Sequence, residues 1–213
     1  MMKRLLLVAI MCLTIGGISA KSNIDEVWKN MPDSVIPYLN AGLRAQMIED
    51  CKSKTDNTTK NILEGESKIS RMTNNFIDAN INKYTNLKLL LLDRQDSTQL
   101  ICMVRTFCSP AAESHITFYN TDWTEEKGSF GLPDMTAATT IIRELTERPD
   151  TMTMERYEEI AKKIEPAMCV AEINEKNEIY LNISCPLLTK EEREALESIK
   201  KQKRFKWTGD LFK

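Results

Sequence analysis

Two nearly continuous apolar runs, Asn86 to Leu92 and Gln99 to Phe107, stand close together near the middle of the chain and limit the folds that it can adopt. A strand exposed to water on one face alternates apolar and polar residues, whereas a strand covered on both faces does not. The polar stretch from Asp93 to Ser97 separates the runs and fits a hairpin loop. We therefore expect two adjacent interior strands with packing layers on both faces of their sheet.

Two prolines interrupt a helical pattern in the first part of the chain. Pro32 and Pro37 lack a backbone N–H donor and restrict the residue before them, so residues 23–55 are expected to form two helices rather than one. Asn40 can cap the second helix. From residue 60 to residue 120, short extended runs separated by turn residues predict an antiparallel meander that includes the two apolar strands.

The order of these elements indicates the fold class. After a connection at 121–152 the pattern is helix, hairpin, helix and strand, and Asn177 can take the left-handed position of the hairpin loop. Runs of antiparallel strands with separate helices are typical of α+β proteins. We therefore expect a single α+β domain over 21–213, an antiparallel β-meander sheet with helices packed mainly on one face. Its two α/β halves would span about 21–132 and 150–213.

The first twenty residues have the layout of a secretory signal peptide. Lys3 and Arg4 precede an apolar stretch of about eleven residues, and small residues ending at Ala20 follow it. The apolar stretch is too short to span a bilayer, and no later segment is apolar for long enough to serve as an anchor. We therefore expect residues 1–20 to be removed and the protein to be exported to the periplasm or beyond, without a transmembrane anchor.

Composition and motifs argue against several classes of activity. Hydrophobic residues make up 42% and charged residues 28%, as in ordinary globular proteins, and the formal net charge of −2 does not favour a polyanion partner. The sequence has no GxGxxG, P-loop or HExxH motif, so we predict no catalytic residues, no cofactor and no metal ligands. The one histidine, His115, lies seven residues after Cys108, and the two would make a thiol and base if folded together. A partly buried strand histidine is the commoner alternative, and a glycosidase with two carboxylates also stays open.

The cysteines that follow the predicted signal peptide number five, and an odd number leaves at least one unpaired within a monomer. If Asn174 and Glu178 close the predicted hairpin, Cys169 faces Ile183, and Cys185 lies diagonally on the same side. This arrangement makes a disulfide between Cys169 and Cys185 a candidate. The alternative is that all of these cysteines are small buried apolar side chains.

A basic and aromatic segment near residue 205 is a candidate docking patch for an anionic lipid headgroup or a glycan. It comprises Lys200, Lys201, Lys203, Arg204, Lys206 and Trp207. In an intracellular protein such a segment would suggest nucleic acid, but we expect no nucleic acid partner for an exported protein. The structural alternative is that the cations complement a helix dipole and the aromatic side chains close the core.

Three segments carry a resemblance to a known family: Met31 to Leu39, Cys102 to Pro110 and Phe118 to Trp123. They are similar to an uncharacterised family of exported Bacteroidales proteins, catalogued as a domain of unknown function, and the similarity covers most of the predicted mature chain. The resemblance implies a location in a Gram-negative envelope. It implies no assigned activity and no catalytic residues.

Such a host adds one kind of modification site. Bacteroidales export systems modify a Ser or Thr that follows Asp and precedes an apolar residue or Thr. The pattern occurs at Ser34, Ser97 and Thr151, which are therefore candidate O-glycosylation sites. A pattern of three residues is loose enough to arise by chance, and Ser97 is the most accessible of the three in the predicted hairpin loop.

These observations support one leading hypothesis and two alternatives. We expect a non-enzymatic envelope protein that binds a ligand or partner through one face or through the groove between its halves. The partner would be an envelope protein, a glycan or a small ligand. The alternatives are an envelope hydrolase acting on glycan or peptide, with carboxylates or Cys108 as reactive groups, and a structural component of an envelope assembly.

Overall fold

Six consecutive strands form an antiparallel sheet in their sequence order, as the predicted meander requires. The structure is a computed structural model that describes residues 21–54 and 58–213, so the predicted signal peptide at 1–20 lies outside the described residues. The strands are β1 (Thr59–Lys60), β2 (Glu66–Met72), β3 (Phe76–Asn82), β4 (Thr85–Asp93), β5 (Gln99–Phe107) and β6 (Glu113–Asn120). Each strand pairs with the next, so β1 and β6 are the two edges of this sheet.

The two apolar runs of the sequence form β4 and β5, which pair without interruption along their whole length. Leu89 and Leu90 are neighbours on β4 and point to opposite faces of the sheet. Both are fully buried, Leu89 in the hydrophobic cluster that contains Trp28, which we call the first core, and Leu90 in the cluster that contains Trp207, which we call the second core. The prediction of adjacent interior strands covered on both faces is therefore confirmed.

Helices α1 (Ile24–Lys29) and α2 (Ala41–Lys52) pack on one face of this sheet. The side chains of Asn23 and Asn40 cap them by accepting hydrogen bonds from backbone N–H groups of the first turn. The loop between the helices contains both prolines, as the sequence predicts. Trp28 of α1 is fully buried in the same cluster as the leucines on this face of β4.

A smaller antiparallel sheet and further helices form the rest of the described chain. They are α3 (Ala138–Leu145), α4 (Met154–Lys163), β7 (Met168–Asn174), β8 (Glu178–Ser184), α5 (Lys190–Ile199) and β9 (Lys203–Lys206), with the strands in the order β7-β8-β9. Asn174 pairs with Glu178 and Cys169 with Ile183, which confirms the predicted hairpin register. Asn177 has a φ of 61°, so it occupies the predicted left-handed position.

The face of the six-stranded sheet opposite to α1 and α2 packs against this second half. Leu90 and Leu92 of β4 and Val104 of β5 share one hydrophobic cluster with buried side chains of β7, β8 and α3 to α5. The Nε1–H of Trp207 donates to the carbonyl oxygen of Asp93 over 2.7 Å and so joins the segment after β9 to the end of β4. The fold is α+β with an antiparallel meander, as the order of the elements predicts.

Close backbone contact secures the connection between the halves. Gly131 has a φ of 85°, and a Cβ at this position would lie 2.4 Å from the carbonyl oxygen of Phe212. A side chain at residue 131 would therefore be both strained and obstructed, which explains the glycine. The N–H of Phe212 donates to the carbonyl oxygen of Phe130 over 2.7 Å at the same place.

The length and apolar character of the described helices can be compared with those of a membrane-spanning helix. α2, with 12 residues, is much shorter than the roughly 20 residues that a spanning helix needs. Within the described ranges, no helix combines the length and the apolar character required to cross a membrane.

Candidate functional site

A groove of about 520 Å³ lies on the α1–α2 face of the six-stranded sheet, and we call it the β5–β6 groove. The helices contact β1, β2 and β4, and the groove occupies the neighbouring part of the face. Alternate residues of a strand share one face, so its floor takes every second residue of two paired strands. The floor residues are Met103, Arg105 and Phe107 of β5 and His115, Thr117 and Tyr119 of β6.

A pair of hydrogen-bond donors lies at the centre of the floor. Arg105 and His115 are directly opposite each other in the β5–β6 ladder. The ring of His115 meets the ring of Phe107 nearly edge to face, with centroids 5.8 Å apart and an interplanar angle of 77°. The centre of the groove therefore combines a guanidinium, an imidazole and an aromatic side chain.

A buried arginine holds the loop that walls the groove. The side chain of Arg44 on α2 is only 2% exposed, and its Nη1 donates to Oδ1 of Asp33 over 2.8 Å and to the carbonyl oxygen of Leu39. Its Nη2 donates to the carbonyl oxygens of Met31 and, at 3.5 Å, of Lys29. Because a guanidinium presents several N–H donors in one plane, one side chain satisfies acceptors along the whole loop.

The loop over residues 30–40 contributes Pro32, Ser34 and Val35 to the groove. Nη2 of Arg105 donates to the carbonyl oxygen of Val35 over 2.6 Å, which ties this wall to the floor. This bond uses part of the hydrogen-bonding capacity of the guanidinium, whose five N–H groups leave donors for a ligand.

Trp123 lies beside the Tyr119 end of the floor. It has a left-handed backbone with a φ of 66°, and its Nε1–H donates to the carbonyl oxygen of Val27 over 3.1 Å. Its ring centroid is 5.3 Å from that of Tyr119. Burial, and next the nearby carboxylate of Glu125, raise the pKa of Tyr119. The phenol therefore stays protonated at neutral pH and is available as a hydrogen-bond donor.

These side chains can hold a ligand by hydrogen bonding and aromatic contact. Cys108 is exposed and its Sγ lies 4.0 Å from the carbonyl oxygen of Thr106, whereas His115 contacts the ring of Phe107. The observed contacts thus do not join Cys108 and His115 as a thiol and base. Among the residues that the structure describes, no three His, Cys, Asp or Glu side chains are grouped to hold a metal ion.

Two other depressions are less suited to a ligand. A slot of about 90 Å³ between α4 and α5 has Ile160 and Leu188 in its lining and has space for only a few water molecules. A depression of about 900 Å³ beside β2 and β3 is lined largely by polar side chains such as Ser67 and Asn80. Of these three sites, the β5–β6 groove brings together the most aromatic side chains, and it combines them with hydrogen-bonding groups.

All five cysteines in the described ranges are free thiols. Cys169 is buried, and its burial raises the pKa of the thiol to about 11. Cys185 is half-buried against the same cluster but lies just beyond the end of β8, outside the ladder that pairs Cys169 with Ile183. No bond joins Cys169 to Cys185 in the structure, so this disulfide stays a prediction. Cys108 departs from the alternative of five buried thiols because it is exposed.

The predicted docking patch is only partly an exposed surface. Trp207 is 7% exposed and belongs to the second core, so its ring is not available to a ligand. Most of the basic side chains face a carboxylate. The pairs are Lys200–Glu197, Lys201–Glu147, Lys203–Glu144 and Arg204–Glu178. These contacts fit the structural role that the sequence left open, and docking at this patch stays a prediction.

The three candidate O-glycosylation residues are all exposed. Ser34 lies in the loop that walls the β5–β6 groove, Ser97 has a φ of 67° in the β4–β5 turn, and Thr151 lies in the connection before α4. Exposure satisfies the steric requirement of a modifying enzyme, and the modification itself stays a prediction.

Sequence reasoning missed the residues that shape the groove. Arg44 lies three residues before Met47 and four before Ile48, on the buried stripe of α2. A charged residue at this spacing is the signal that could have identified it. Arg105 and Trp123 carry no comparable signal, because their contacts are with segments distant in sequence.

The fold and the groove define an α+β protein with an open groove beside an edge strand. A family model described as "Protein of unknown function (DUF3256)" matches residues 17–212, so the chain belongs to this family, and the predicted membership in an uncharacterised family is confirmed. A solved structure of a domain of an uncharacterized protein from Porphyromonas gingivalis W83 is similar, with 17% sequence identity and a TM-score of 0.70. The match covers 91% of this chain and 98% of that chain, and at this identity it shows the fold alone. A search of the curated proteins found no match.

Proposed function

We propose that this protein is a non-enzymatic binding module of the bacterial envelope that holds a ligand in the β5–β6 groove. The mixed apolar and polar lining of the groove carries the proposal, together with a volume of about 520 Å³, which is within the range of roughly 300–1,000 Å³ typical of ligand sites. Such sites combine apolar surface with a few well-placed polar groups. Phe107 and Val35 supply the apolar surface, and Arg105, His115 and Tyr119 supply the polar groups.

The contacts of the polar side chains favour binding over catalysis. Acid–base catalysis needs a reactive group held at hydrogen-bonding distance from its partner. His115 contacts the ring of Phe107, and Arg105 donates to the carbonyl oxygen of Val35. Neither contact joins His115 or Arg105 to a nucleophile or a carboxylate among the described residues of the groove.

The envelope location in this proposal rests on the sequence of residues 1–20. O-glycosylation of Ser34, Ser97 or Thr151 and a disulfide between Cys169 and Cys185 would accompany export. The intact mass of protein recovered from its host envelope, with free thiols alkylated, tests all three features. The unprocessed mass, with five alkylated thiols in the portion from residue 21 onward, would contradict them.

The binding proposal is tested by titrating isotope-labelled protein and recording backbone amide shifts. The probes are soluble envelope oligosaccharides, peptidoglycan fragments and short peptides, each added separately. We expect one probe class to produce saturable shifts of Arg105, His115 and Thr117. Arg105→Gln should weaken that binding by about tenfold, because a hydrogen bond to a charged group is lost.

Arg156→Gln is the matched control. Arg156 is an exposed arginine on α4 that pairs with Glu159 over 3.1 Å and is no part of the groove. The control should bind as tightly as the unchanged protein. Saturable shifts confined to other surfaces would contradict the proposal. Conversion of a probe into products, detected by mass spectrometry, would favour the hydrolase alternative, and its loss in Cys108→Ala would assign the reactive thiol.

A further inference from the structure

The outer edge of β6 is already half occupied by the chain itself. The N–H of Asn120 donates to the carbonyl oxygen of Thr124 over 2.9 Å, and the N–H of Glu126 donates to the carbonyl oxygen of Phe118 over 2.9 Å. Residues 124–126 therefore run beside the second half of β6 as a short added strand. This edge is accessible to strand pairing, because the protein itself uses it.

The first half of the same edge is free of backbone hydrogen bonds, and we call it the free half of β6. Backbone groups of alternate residues in an antiparallel strand point to the same side, so Ser114 and Ile116 direct theirs outward, as Phe118 does. Within residues 21–54 and 58–213, no hydrogen bond reaches the backbone of Ser114 or Ile116 from that side. Unpaired backbone groups on an edge are a template for an incoming strand.

A strand added here would bring one side chain over the donor pair of the groove. The residue of the added strand that lies opposite His115 is on the same face of the sheet as His115. Arg105 is on that face too, one strand further from the added strand. Strands are about 4.8 Å apart, so a distance of about 10 Å separates the incoming residue from Arg105. Glutamate and arginine side chains can span that distance together, and a carboxylate is the acceptor that best matches a guanidinium.

We infer that the β5–β6 groove takes an extended peptide segment that adds to the free half of β6 and places an acidic side chain against Arg105 and His115. The inference rests on the proposed function and names the class of ligand. Strand addition supplies affinity through main-chain hydrogen bonds, and the side-chain positions supply specificity. A glycan would use the aromatic surface but would leave the backbone groups of Ser114 and Ile116 without strand-spaced partners.

The surrounding charges restrict the peptide further. Glu113 lies opposite Phe107 on the floor side of the ladder, and Glu125 lines the groove beside Tyr119. An acidic residue two positions from the one at His115 would meet Glu113, because alternate residues share a face. The matching segment therefore carries one acidic residue flanked, at alternate positions, by apolar or basic side chains.

Three seven-residue peptides test the inference with the full-length protein. They alternate threonine and valine and carry glutamate, glutamine or lysine at the centre. We expect the glutamate peptide to bind about tenfold more tightly than the glutamine peptide, and the lysine peptide to bind most weakly. The bound glutamate peptide should slow hydrogen exchange at the amides of Ser114 and Ile116. In Arg105→Gln the preference for glutamate over glutamine should fall to about twofold or less.

Ser114→Pro tests the role of the edge. Proline removes the outward N–H but no bond of the β5–β6 ladder, and edge strands tolerate it at such positions. Ser114→Ala is the control, because it removes only the contact of 2.8 Å between the hydroxyls of Ser114 and Thr106. We expect the proline variant to lose peptide binding by tenfold or more and the alanine variant to retain it. Circular dichroism confirms that both variants are folded.

The outcomes separate this inference from the proposed function. If oligosaccharides shift the groove amides and the peptides do not, the peptide inference is overturned and the proposed function stands. Equal affinity for the glutamate and glutamine peptides also overturns the inference. If none of the probes shifts the groove amides, both proposals fail.

Discussion

The two faces of the six-stranded sheet are covered in different ways. On one face, β7 to β9 and α3 to α5 form a core that reaches from Phe76 on β3 to Phe118 on β6. On the other face, α1 and α2 contact β1, β2 and β4, and a loop held by Arg44 stands beside β5 and β6. A wall made by a loop leaves room over the floor, whereas a second sheet does not. The same interior strand, β5, thus faces a core on one side and an open groove on the other.

Matched truncations on β4 test whether the two cores unfold together, and we expect them to have the largest effects. Leu89→Ala opens a cavity in the first core and Leu90→Ala opens one in the second. Each should lower the free energy of unfolding by about 3–4 kcal/mol, from lost burial and a residual cavity. Urea denaturation followed by circular dichroism and by tryptophan fluorescence measures both.

Coincident transitions by the two probes would show that both faces belong to one cooperative unit. Trp28 lies in the first core and Trp207 in the second, so fluorescence reports on both. If Leu89→Ala separates an early transition from a late one, the layer formed by α1 and α2 unfolds independently. The two faces of the sheet then belong to separate cooperative units.

Arg44→Met should lower the free energy of unfolding by about 2–3 kcal/mol. The change leaves carbonyl oxygens of the 30–40 loop and its neighbour Lys29 without a donor in a buried setting. Hydrogen exchange should also accelerate in the loop, because its backbone loses its main support. Urea denaturation and exchange mass spectrometry measure the two effects.

Asp33→Asn is the control for Arg44. The side chain of Asp33 is 60% exposed and Asp33→Asn keeps an oxygen acceptor, but the buried guanidinium of Arg44 loses its carboxylate, so the change should cost about 1 kcal/mol, less than Arg44→Met. An effect as large as that of Arg44→Met would mean that the ion pair, rather than the carbonyl oxygens, holds the wall of the groove.

Two matched tryptophan substitutions compare the hydrogen bonds that attach a segment of the chain to each face of the sheet. Trp207→Phe removes the hydrogen bond to the carbonyl oxygen of Asp93, and Trp123→Phe removes the one to the carbonyl oxygen of Val27. We expect Trp123→Phe to cost about 1–2 kcal/mol of unfolding free energy, because a buried acceptor is left unpaired, and Trp207→Phe to cost less, because Asp93 is an exposed residue. Only Trp123→Phe should also alter the amide shifts of the β5–β6 groove. Equal shifts in both variants would contradict the assignment of Trp123 to the groove.

The smallest expected effect depends on pH and lies in the second half. The side-chain hydrogen bond from Lys203, and next that from Arg143, lower the pKa of Glu144. A carboxyl with a lowered pKa in the folded state stabilises above its unfolded pKa of about 4.3, and this contribution is lost as the pH falls through the folded value. Glu144→Gln should therefore cost about 0.5–1 kcal/mol at pH 7 and progressively less below about pH 4.

Glu197→Gln is the control for this pH dependence. Glu197 pairs with Lys200 but its side chain is 61% exposed, so solvent screens the pair. Thermal unfolding across pH 2–7 should show a smaller, flatter difference for Glu197→Gln. A cost of Glu144→Gln that grows as the pH falls would contradict the sign of the pKa shift.

Local features of the sequence were enough to predict much of the fold. Asn177 marked the β7–β8 turn, and because side chains alternate along paired strands, the position of the turn also set the facing pair of Cys169 and Ile183. Asn40 marked the start of α2 by its capping side chain. Each of these predictions depended on contacts between residues a few positions apart.

The groove could not be predicted in the same way. Arg105 bonds to the carbonyl oxygen of Val35 across 70 positions of sequence, and Trp123 bonds to that of Val27 across 96. Neither side chain belongs to a sequence motif that predicts such a contact.

The sequence by itself determined the meander, its two interior strands, the helix caps and the hairpin register, because hydrophobic periodicity and turn chemistry act over short distances along the chain. Only the tertiary structure decided which face β5 and β6 would leave open, that Arg44 would be buried, and that Trp207 would join the core. Those outcomes depend on which segments meet after the chain folds, and a side chain receives its partners only then.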